Sequence, residues 1–406
     1  MLIETLEDLS RRSLERGNRP FRRYLLDRMP LDNQCTIITG PRGVGKTTAM
    51  LQVLGDLPED QQGLYILADH VALDDASLYE MAREFQQLGG TCLCIDEIHK
   101  ARDWARQLKS ILDTFPDLRV IASGSSALGL FAGSLDLSRR AIFRRMEILS
   151  FREFIALTSN VHLSAVSLSD IIERHVELSE ELVRTLPGQR ILPRFRDYLL
   201  RGSSPHFLEF KDSRDFLTTL EQNARTTIES DLPAIKPNLT GTSVRRLRRL
   251  LSVVAASVPF TPNLKHLSSL LSIADERTLK GYLELLEVGG LIRMMERAGH
   301  GLRPMEKPEK IYLHSPGLCH ALAPSRSPER GNLRETFLAA MLAADHSITA
   351  PKRGDFLVNG ELTLEVGGRN KTGGQLQGIR DSFLALDDIE VGGRRRIPLW
   401  LFGLLY

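Results

Sequence analysis

The chain has 406 residues, 42% of them apolar and 26% charged, with a formal net charge of +2. That length and composition predict two to four domains with full cores, exclude a disordered or low-complexity chain, and require any nucleic-acid footprint to be local. Four cysteines are too few for a disulfide framework, and Cys92 and Cys94 lack the His or second Cys pair of a metal site, so reduced thiols in the cytoplasm are expected.

The N-terminus, Met1-Leu2-Ile3-Glu4-Thr5-Leu6-Glu7-Asp8, carries acids and no apolar core, so no signal peptide is expected. No apolar stretch reaches the roughly 20 residues of a membrane helix, and no membrane partner is expected. Up to about Pro30 the chain reads as helical and basic, with Arg11, Arg12, Arg16, Arg19, Arg22 and Arg23 forming either a solvated face or an adaptor onto the following core.

A β-branched run, Cys35–Thr39, then leads into Gly40-Pro41-Arg42-Gly43-Val44-Gly45-Lys46-Thr47, followed by the helical Thr48–Leu54. The octet fits GxxxxGK[ST], the Walker A pattern, between the strand and helix this pattern requires. Successive backbone N–H groups from Arg42 to Thr48 can then cradle an anion at a helix N-terminus. Lys46 is expected to reach the β- and γ-phosphates, and Thr47 to complete a Mg²⁺ shell. Strand candidates follow at Leu64–Ala68, Thr91–Ile95, Leu118–Ala122 and Met146–Leu149, with helices between them. This alternation predicts an α/β fold with a doubly wound parallel sheet, that of a P-loop NTPase. A strand candidate between the loop strand and the Asp96 strand is the arrangement of ATPases with an added catalytic-glutamate strand.

Thr91–Ile95 ends in Asp96-Glu97, a Walker B arrangement. Asp96 at that strand end is expected to hold Mg²⁺, and Glu97 to polarise an attacking water, a role worth about 10²–10⁴ in rate. A glutamate there argues for ATP hydrolysis over kinase or GTPase chemistry; the two acids also suit a helix N-cap. His99 reads either as a contact sensing nucleotide state or as a packed or capping histidine. Ser123, and after it Ser125, are candidate γ-phosphate sensors or capping residues. Arg140, or its neighbour Arg139, is a candidate for stabilising transition-state charge in cis or in trans, or else a surface pair.

Residues from Ser150 to Pro237 read as a helical lid. Ser243–Ala256, Leu264–Leu271, Asp275–Val288, Leu291–Met295 and Lys310–Leu313 follow in the order of a winged helix-turn-helix. Its third helix offers Glu276, Arg277 and Lys280, and its wing Arg297, Arg303 and Lys307, to DNA, a protein partner or a neighbouring domain. The last ten residues, Ile397–Tyr406, read as a buried strand. The expected domains are an ATPase core with its N-terminal helical segment (1–155), a helical lid (156–238), the winged helix (239–325) and a small α/β domain (326–406).

Taken together, Gly40–Thr47, Asp96-Glu97-Ile98-His99-Lys100 with Trp104, Ser123-Gly124-Ser125-Ser126, Leu137-Ser138-Arg139-Arg140, Leu149–Phe154 and Glu365–Lys371 resemble a family of bacterial and archaeal AAA-type ATPases. Its members join a P-loop core to a winged helix and a restriction-endonuclease-like C-terminal domain. The resemblance implies an ATP-dependent switch or motor using ATP and Mg²⁺, linked to DNA or to defence and mobile elements; a homo-oligomer stays open as the assembly, and a nucleotide-gated DNA- or protein-binding module with little turnover is an alternative function. Such nucleases hold a divalent metal with an Asp on one strand and an acid-x-Lys on the next. Here Asp355 and Glu365 are in place and Glu335 lies on a preceding helix, but the lysine position is Gly367. Lys371 or Gln375 could substitute from the adjacent loop. Lost or altered chemistry is the expectation, and an ATP-powered metal nuclease the alternative.

Overall fold

The computed structural model describes all residues except 1, 18, 29–32, 74–75, 127–136, 138, 187–189, 274, 300–307 and 324–326. The chain divides into two compact units. The first joins Met1–Glu147 to the distant segment Glu229–Leu239, and the second joins Ile148–Ile228 to Thr240–Tyr406.

The first unit is built on five parallel strands: β1 (Cys35–Thr39), β2 (Gln62–Leu67), β3 (Gly90–Asp96), β4 (Arg119–Gly124) and β5 (Ile142–Arg145). Their order across the sheet is β2-β3-β4-β1-β5. β1 is buried along its whole length and β4 at every residue after Arg119, as strands covered by helices on both faces must be. The strand set between the loop strand and the Asp96 strand is therefore β4, while β2 lies outside β3 at the sheet edge. Helix Leu2–Gly17 puts Ile3 and Leu6 into the same core as Ile37, Ile66, Leu93 and Ile95, and Ser10 Oγ accepts from the Tyr65 N–H of that edge strand at 2.9 Å. The N-terminal basic helix is thus packed on the sheet. Three helices close the connections, Lys46–Gly55, Leu78–Gln87 and Trp104–Thr114. The second starts at a reciprocal capping box between Ser77 and Glu80, which satisfies two otherwise orphaned N–H groups.

Two strand expectations are corrected. The fifth strand is Ile142–Arg145, paired with β1 from Thr36↔Ile142 to Thr39↔Arg145, and not Met146–Leu149. The four residues after it are buried coil, entered by a single Met146 N–H to Thr39 carbonyl bond of 2.7 Å. Met146, Ile148 and Leu149 mark burial on all sides, with Glu147 buried among them, whereas the true edge strand carries exposed and half-buried residues. For the same reason Ile397–Tyr406 is not a strand. It contributes only to β12 (Arg396–Pro398) and then winds into a fully buried 3₁₀ helix, Leu399–Leu404.

The second unit begins with helices Phe151–Ser159, Leu168–Thr185, Ile191–Arg201 and Ser213–Thr226. Phe151, Phe195, Tyr198 and Phe337 form an aromatic cluster with ring centroids 4.8–6.4 Å apart, geometry that adds edge-to-face attraction to burial. Helices Gly241–Ala255, Leu264–Leu270 and Glu276–Val288 precede an antiparallel pair, β6 (Ile292–Met295) and β7 (Lys310–Leu313). The expected wing residues Arg303 and Lys307 lie outside the described residues, as do Asp136, Ser138 and Ala274. The C-terminal sheet adds β8 (Ile348–Thr349), β9 (Phe356–Val358), β10 (Leu362–Gly367) and β11 (Ser382–Leu386), in the order β12-β11-β10-β9-β8. β10, β11 and β12 run parallel, while β9 is antiparallel to β10 and β8 to β9. Among the described residues no helix is long and apolar enough to cross a membrane, and Cys35, Cys92, Cys94 and Cys319 are all buried free thiols.

Candidate functional site

The glycine-rich octet turns from β1 into the helix Lys46–Gly55 at Gly45, which has φ 100° and ψ 23°. Gly43 also has positive φ, 79°. Only glycine takes these two positions without steric cost. At Gly40 the constraint is space, since a Cβ there would meet the Met146 carbonyl oxygen at 2.4 Å. The helix that follows receives no side-chain cap. Its first-turn N–H groups are left facing the loop with the helix's partial positive charge behind them, an arrangement suited to an anion. The loop is held from outside by Arg23, which is buried and donates to the Val44 carbonyl and, at 2.8 Å, to the Glu147 carbonyl. Val44 itself is buried, and Thr48 is half-buried on the helix beyond.

Lys46 is 6% exposed and donates to the carbonyls of Gly40 at 2.9 Å and Pro41 at 3.0 Å. Burial pulls its pKa below the ordinary lysine value, opposed by the charges of Glu97 and Asp96. An ammonium held this way gains from an arriving polyanion, which replaces two neutral carbonyls by full negative charge.

Asp96, at the end of β3, is the hub. Thr47 Oγ1 donates to its Oδ2 at 2.6 Å, and the phenol of Tyr65 to the same oxygen at 2.8 Å. Its Oδ1 accepts from Ser123 Oγ and from the Glu97 N–H, the latter at 3.1 Å. Burial first, and then the charge of Asp96, drive the Tyr65 pKa far up, so the phenol remains a donor. Ser123 is fully buried on β4, and its hydroxyl engages Asp96 and, as acceptor, the Glu97 N–H at 3.3 Å. Ser125 Oγ is buried without a hydrogen-bond partner.

Glu97 stands in left-handed backbone, φ 53° and ψ 41°, a conformation that costs a non-glycine residue of order 1–3 kcal/mol and clusters at active sites. Its Oε2 is buried with no hydrogen bond and lies 3.5 Å from His99 Nε2. The ring of His99 is 1% exposed, with hydrogen bonds at neither nitrogen. Burial pushes its pKa down against the pull of Glu97 and Asp231. Asp231, 1% exposed, lies 4.0 Å from His99 Nε2 and takes Arg42 bidentately at 2.6 and 2.9 Å. That bond is the leading cause raising the Arg42 pKa.

The structure thus brings together Lys46, Thr47, Asp96, Glu97 and Ser123 from the sequence reading. It adds Tyr65, Arg23 and Asp231, which sequence reasoning missed. Asp231 comes from a segment 134 residues downstream of Glu97, and no local pattern marks it (231 − 97). Arg23 was visible only as one member of a basic run. Arg140 donates to Asp113 at 2.6 and 3.3 Å in a half-exposed pair, and Arg139 is exposed.

Magnesium fits the first of two candidate metal sites. Thr47 and Asp96 present a hydroxyl and a carboxylate in direct contact. Among the described residues no three His, Cys, Asp or Glu form a preformed cage. That suits an ion which is held by one or two protein ligands plus substrate phosphates. The C-terminal set does not fit a metal. Lys310 Nζ sits 3.2 Å from Asp355 Oδ1 and 3.4 Å from Glu335 Oε2, where a bridging cation would lie. Tyr312 donates to Glu335 Oε2 at 2.9 Å, and the Val366 N–H to Asp355 Oδ2 at 2.8 Å. Lys371 lies 3.0 Å from Glu365 Oε1 and fills the space beside Gly367, where a Cβ would come within 2.6 Å of its own Cβ.

Residues 32–155 match a family model described as an AAA domain, and residues 192–329 one described as a domain of unknown function (DUF8612). An uncharacterized protein of Methanocaldococcus jannaschii, MJ1637, is 30% identical over 183 residues, which span 43% of this chain and 38% of that protein. Among solved structures, Thermotoga maritima RuvB T158V is similar at 18% identity and TM-score 0.30, over 72% of this chain and 89% of that one. The S. cerevisiae Hsp104–ADP complex is similar at 20% identity and TM-score 0.26, over 70% and 40%. The glycine-rich loop between strand and helix, the acid pair ending β3 and the matched family model coincide in one parallel sheet, and this part of the chain is an AAA-type P-loop domain.

Proposed function

We propose that this chain is a magnesium-dependent ATPase whose turnover drives a switch in its remaining domains. The observation that carries the reading is the convergence of Thr47, Tyr65, Ser123 and the Glu97 N–H on the two oxygens of Asp96, beside a buried Lys46. In this reading the loop N–H groups and Lys46 bind the β- and γ-phosphates, and Thr47 and Asp96 hold magnesium. A magnesium ion held by these two residues would supply charge neutralisation to the bound phosphates. Tyr65 and Ser123 fix the carboxylate orientation of Asp96. Glu97 takes the proton of the attacking water, and Ser123 reports the state of the γ-phosphate through its bond to Asp96. Arg140 acts in the same reading on transition-state charge, after exchange of its Asp113 pair for phosphate.

The helices Gly241–Ala255, Leu264–Leu270 and Glu276–Val288, with the β6–β7 pair, have the order of a winged helix. We assign to it DNA or protein binding, supported by the exposed Arg245, Arg277 and Arg297. The cytoplasm is the expected compartment, and a homo-oligomer the expected assembly if Arg140 acts in trans.

Steady-state ATP hydrolysis measured over a range of protein concentrations, with and without duplex DNA, tests this, with Glu97→Gln as control. Specific activity that rises with concentration or DNA and vanishes in the variant supports a coupled ATPase. Parent turnover no faster than the variant's, with ATP still bound, replaces the reading by a nucleotide-gated binding module.

A further inference from the structure

Glu97 and His99 leave three buried polar atoms without hydrogen bonds: Glu97 Oε2, His99 Nδ1 and His99 Nε2. A buried donor or acceptor left unmade costs about 1–3 kcal/mol, so three in one place call for a reason. Both oxygens of Asp96, one residue away, by contrast accept hydrogen bonds. A row of side chains leads from Glu97 through His99 to Asp231, both acids facing the same ring nitrogen, Nε2, at 3.5 and 4.0 Å. Asp231 itself is clamped by the Arg42 fork, and Arg42 is the third residue of the phosphate loop. One end of the row is the proposed water-activating carboxylate, and the other is the loop that would hold the phosphates.

Asp231 arrives there on an unusual piece of chain. The segment Glu229–Leu239 belongs to the first unit, yet along the sequence both its neighbours, Ile228 and Thr240, belong to the second. It opens on a π-helical turn, Thr227–Asp231, and continues as the short helix Leu232–Ile235. Single π turns of this kind recur at functional sites because the extra residue redirects a side chain. Leu232 is fully buried, so the segment is anchored and not merely tethered by its ion pair.

We infer that Asp231 and His99 are positioning residues that set the orientation of Glu97, and that Arg42 makes this setting depend on what the phosphate loop holds. Phosphate oxygens arriving at the loop compete with Asp231 for Arg42. A loosened Asp231 then turns to His99 Nε2, the same nitrogen that Glu97 faces, and competition for it decides where the Glu97 carboxylate points. Because the segment continues into the second unit at both ends, the same event reaches the rest of the chain covalently. This inference rests on the ATPase reading above and adds to it the residues that report phosphate occupancy to the catalytic glutamate.

The test compares the full-length parent with Glu97→Gln, Asp231→Asn, His99→Ala and His99→Gln. Hydrolysis is read as kcat and KM, ATP affinity by a fluorescent ATP analogue, and folding by thermal melts. Asp231→Asn keeps the volume and one hydrogen bond to Arg42, so it guards against simple unfolding. Expected are losses of about 10–100-fold in kcat for Asp231→Asn and His99→Ala, the range seen when residues that orient a reacting group are removed. Melting should stay near parental values, nucleotide affinity should not weaken and should rise if anything in Asp231→Asn, and His99→Gln, which restores a donor and an acceptor at the ring position, should recover most of the lost kcat. An active parent with Asp231→Asn and His99→Ala at parental kcat overturns the linkage and leaves the ATPase reading standing. So does a loss of kcat matched by equal losses of affinity and melting temperature, which marks a structural role. A parent no faster than Glu97→Gln overturns the ATPase reading itself and the linkage with it.

Discussion

Two clusters in this molecule use the same ingredients, acidic side chains, a lysine and a tyrosine hydroxyl, and arrive at opposite states. Around Asp96, neutral hydroxyls and an N–H orient the carboxylate, while Lys46 is held back on the loop carbonyls of Gly40 and Pro41. Around Asp355 and Glu335, Lys310 lies directly between the acids, and Lys371 stands beside Glu365. The first arrangement keeps its charges apart until a ligand bridges them. The second bridges them internally, which removes the field that would draw a cation or a phosphate. Composition alone does not distinguish an open cluster from a self-paired one; what matters is whether the opposite charges already meet.

The largest expected effect comes from Glu97→Gln, which removes a base and keeps the shape. We expect kcat to fall about 10²–10⁴-fold with ATP still bound. Asp355→Ala, by contrast, should leave ATP hydrolysis unchanged, and neither it nor the parent should cut duplex DNA in magnesium or manganese. Cleavage by the parent that Asp355→Ala abolishes would break the comparison outright.

Next is Lys310→Met. Taking the ammonium away leaves Asp355 and Glu335, 18% and 17% exposed, facing one another without their cation. Breaking a buried pair in this way costs about 3–5 kcal/mol, and the partial exposure here places it at about 3 kcal/mol or less. The same variant should gain what the parent lacks: manganese should raise its melting temperature and not the parent's, since binding to the folded state alone stabilises it. Equal responses to manganese in both proteins would show that Lys310 does not take the cation's place.

Tyr65→Phe probes the other cluster more gently. Asp96 keeps Thr47, Ser123 and the Glu97 N–H but loses the phenol at 2.8 Å. Apparent magnesium affinity in the ATPase assay should weaken about tenfold, the lower end of what outer-shell partners contribute. An unchanged magnesium dependence would mean that Thr47 and Ser123 orient Asp96 unaided.

How much of this was legible beforehand follows from distance along the chain. The loop Gly40–Thr47 and the pair Asp96-Glu97 are contiguous, and each sits at the end of a buried strand, β-branched before the loop and apolar before the acids. Such runs are readable. They also mislead, because Leu399–Tyr406 is as apolar and Met146–Leu149 as buried without either being a strand. Burial is what an apolar run reports; hydrogen-bond pairing is decided by the neighbouring strand. Tyr65, Arg23, Asp231 and Lys310 each serve a group far away in sequence, and the residues beside them carry no spacing or period that points to it. Lys371 is intermediate: its position near Glu365 was visible, but its packing across Gly367 depends on how the loop closes.

The smallest expected effect concerns pH. Burial, with the charge of Asp355 behind it, raises the Glu335 pKa above its ordinary 4.5, while Lys310 and Tyr312 pull it down. The folded state therefore holds this proton more tightly than the unfolded one. Where the unfolded state binds fewer protons, stability falls as pH rises. The contribution of Glu335 is thus fully present below about pH 4.5 and lost as pH climbs through its raised folded value. Glu335→Gln, neutral at every pH, should match the parent in acid and exceed it slightly at pH 7–8, read as urea midpoints. An offset that stays constant from acid to neutral pH would show that Lys310 neutralises Glu335 fully. In that case the C-terminal cluster is even more completely closed on itself than its distances imply, and the contrast with Asp96 sharpens.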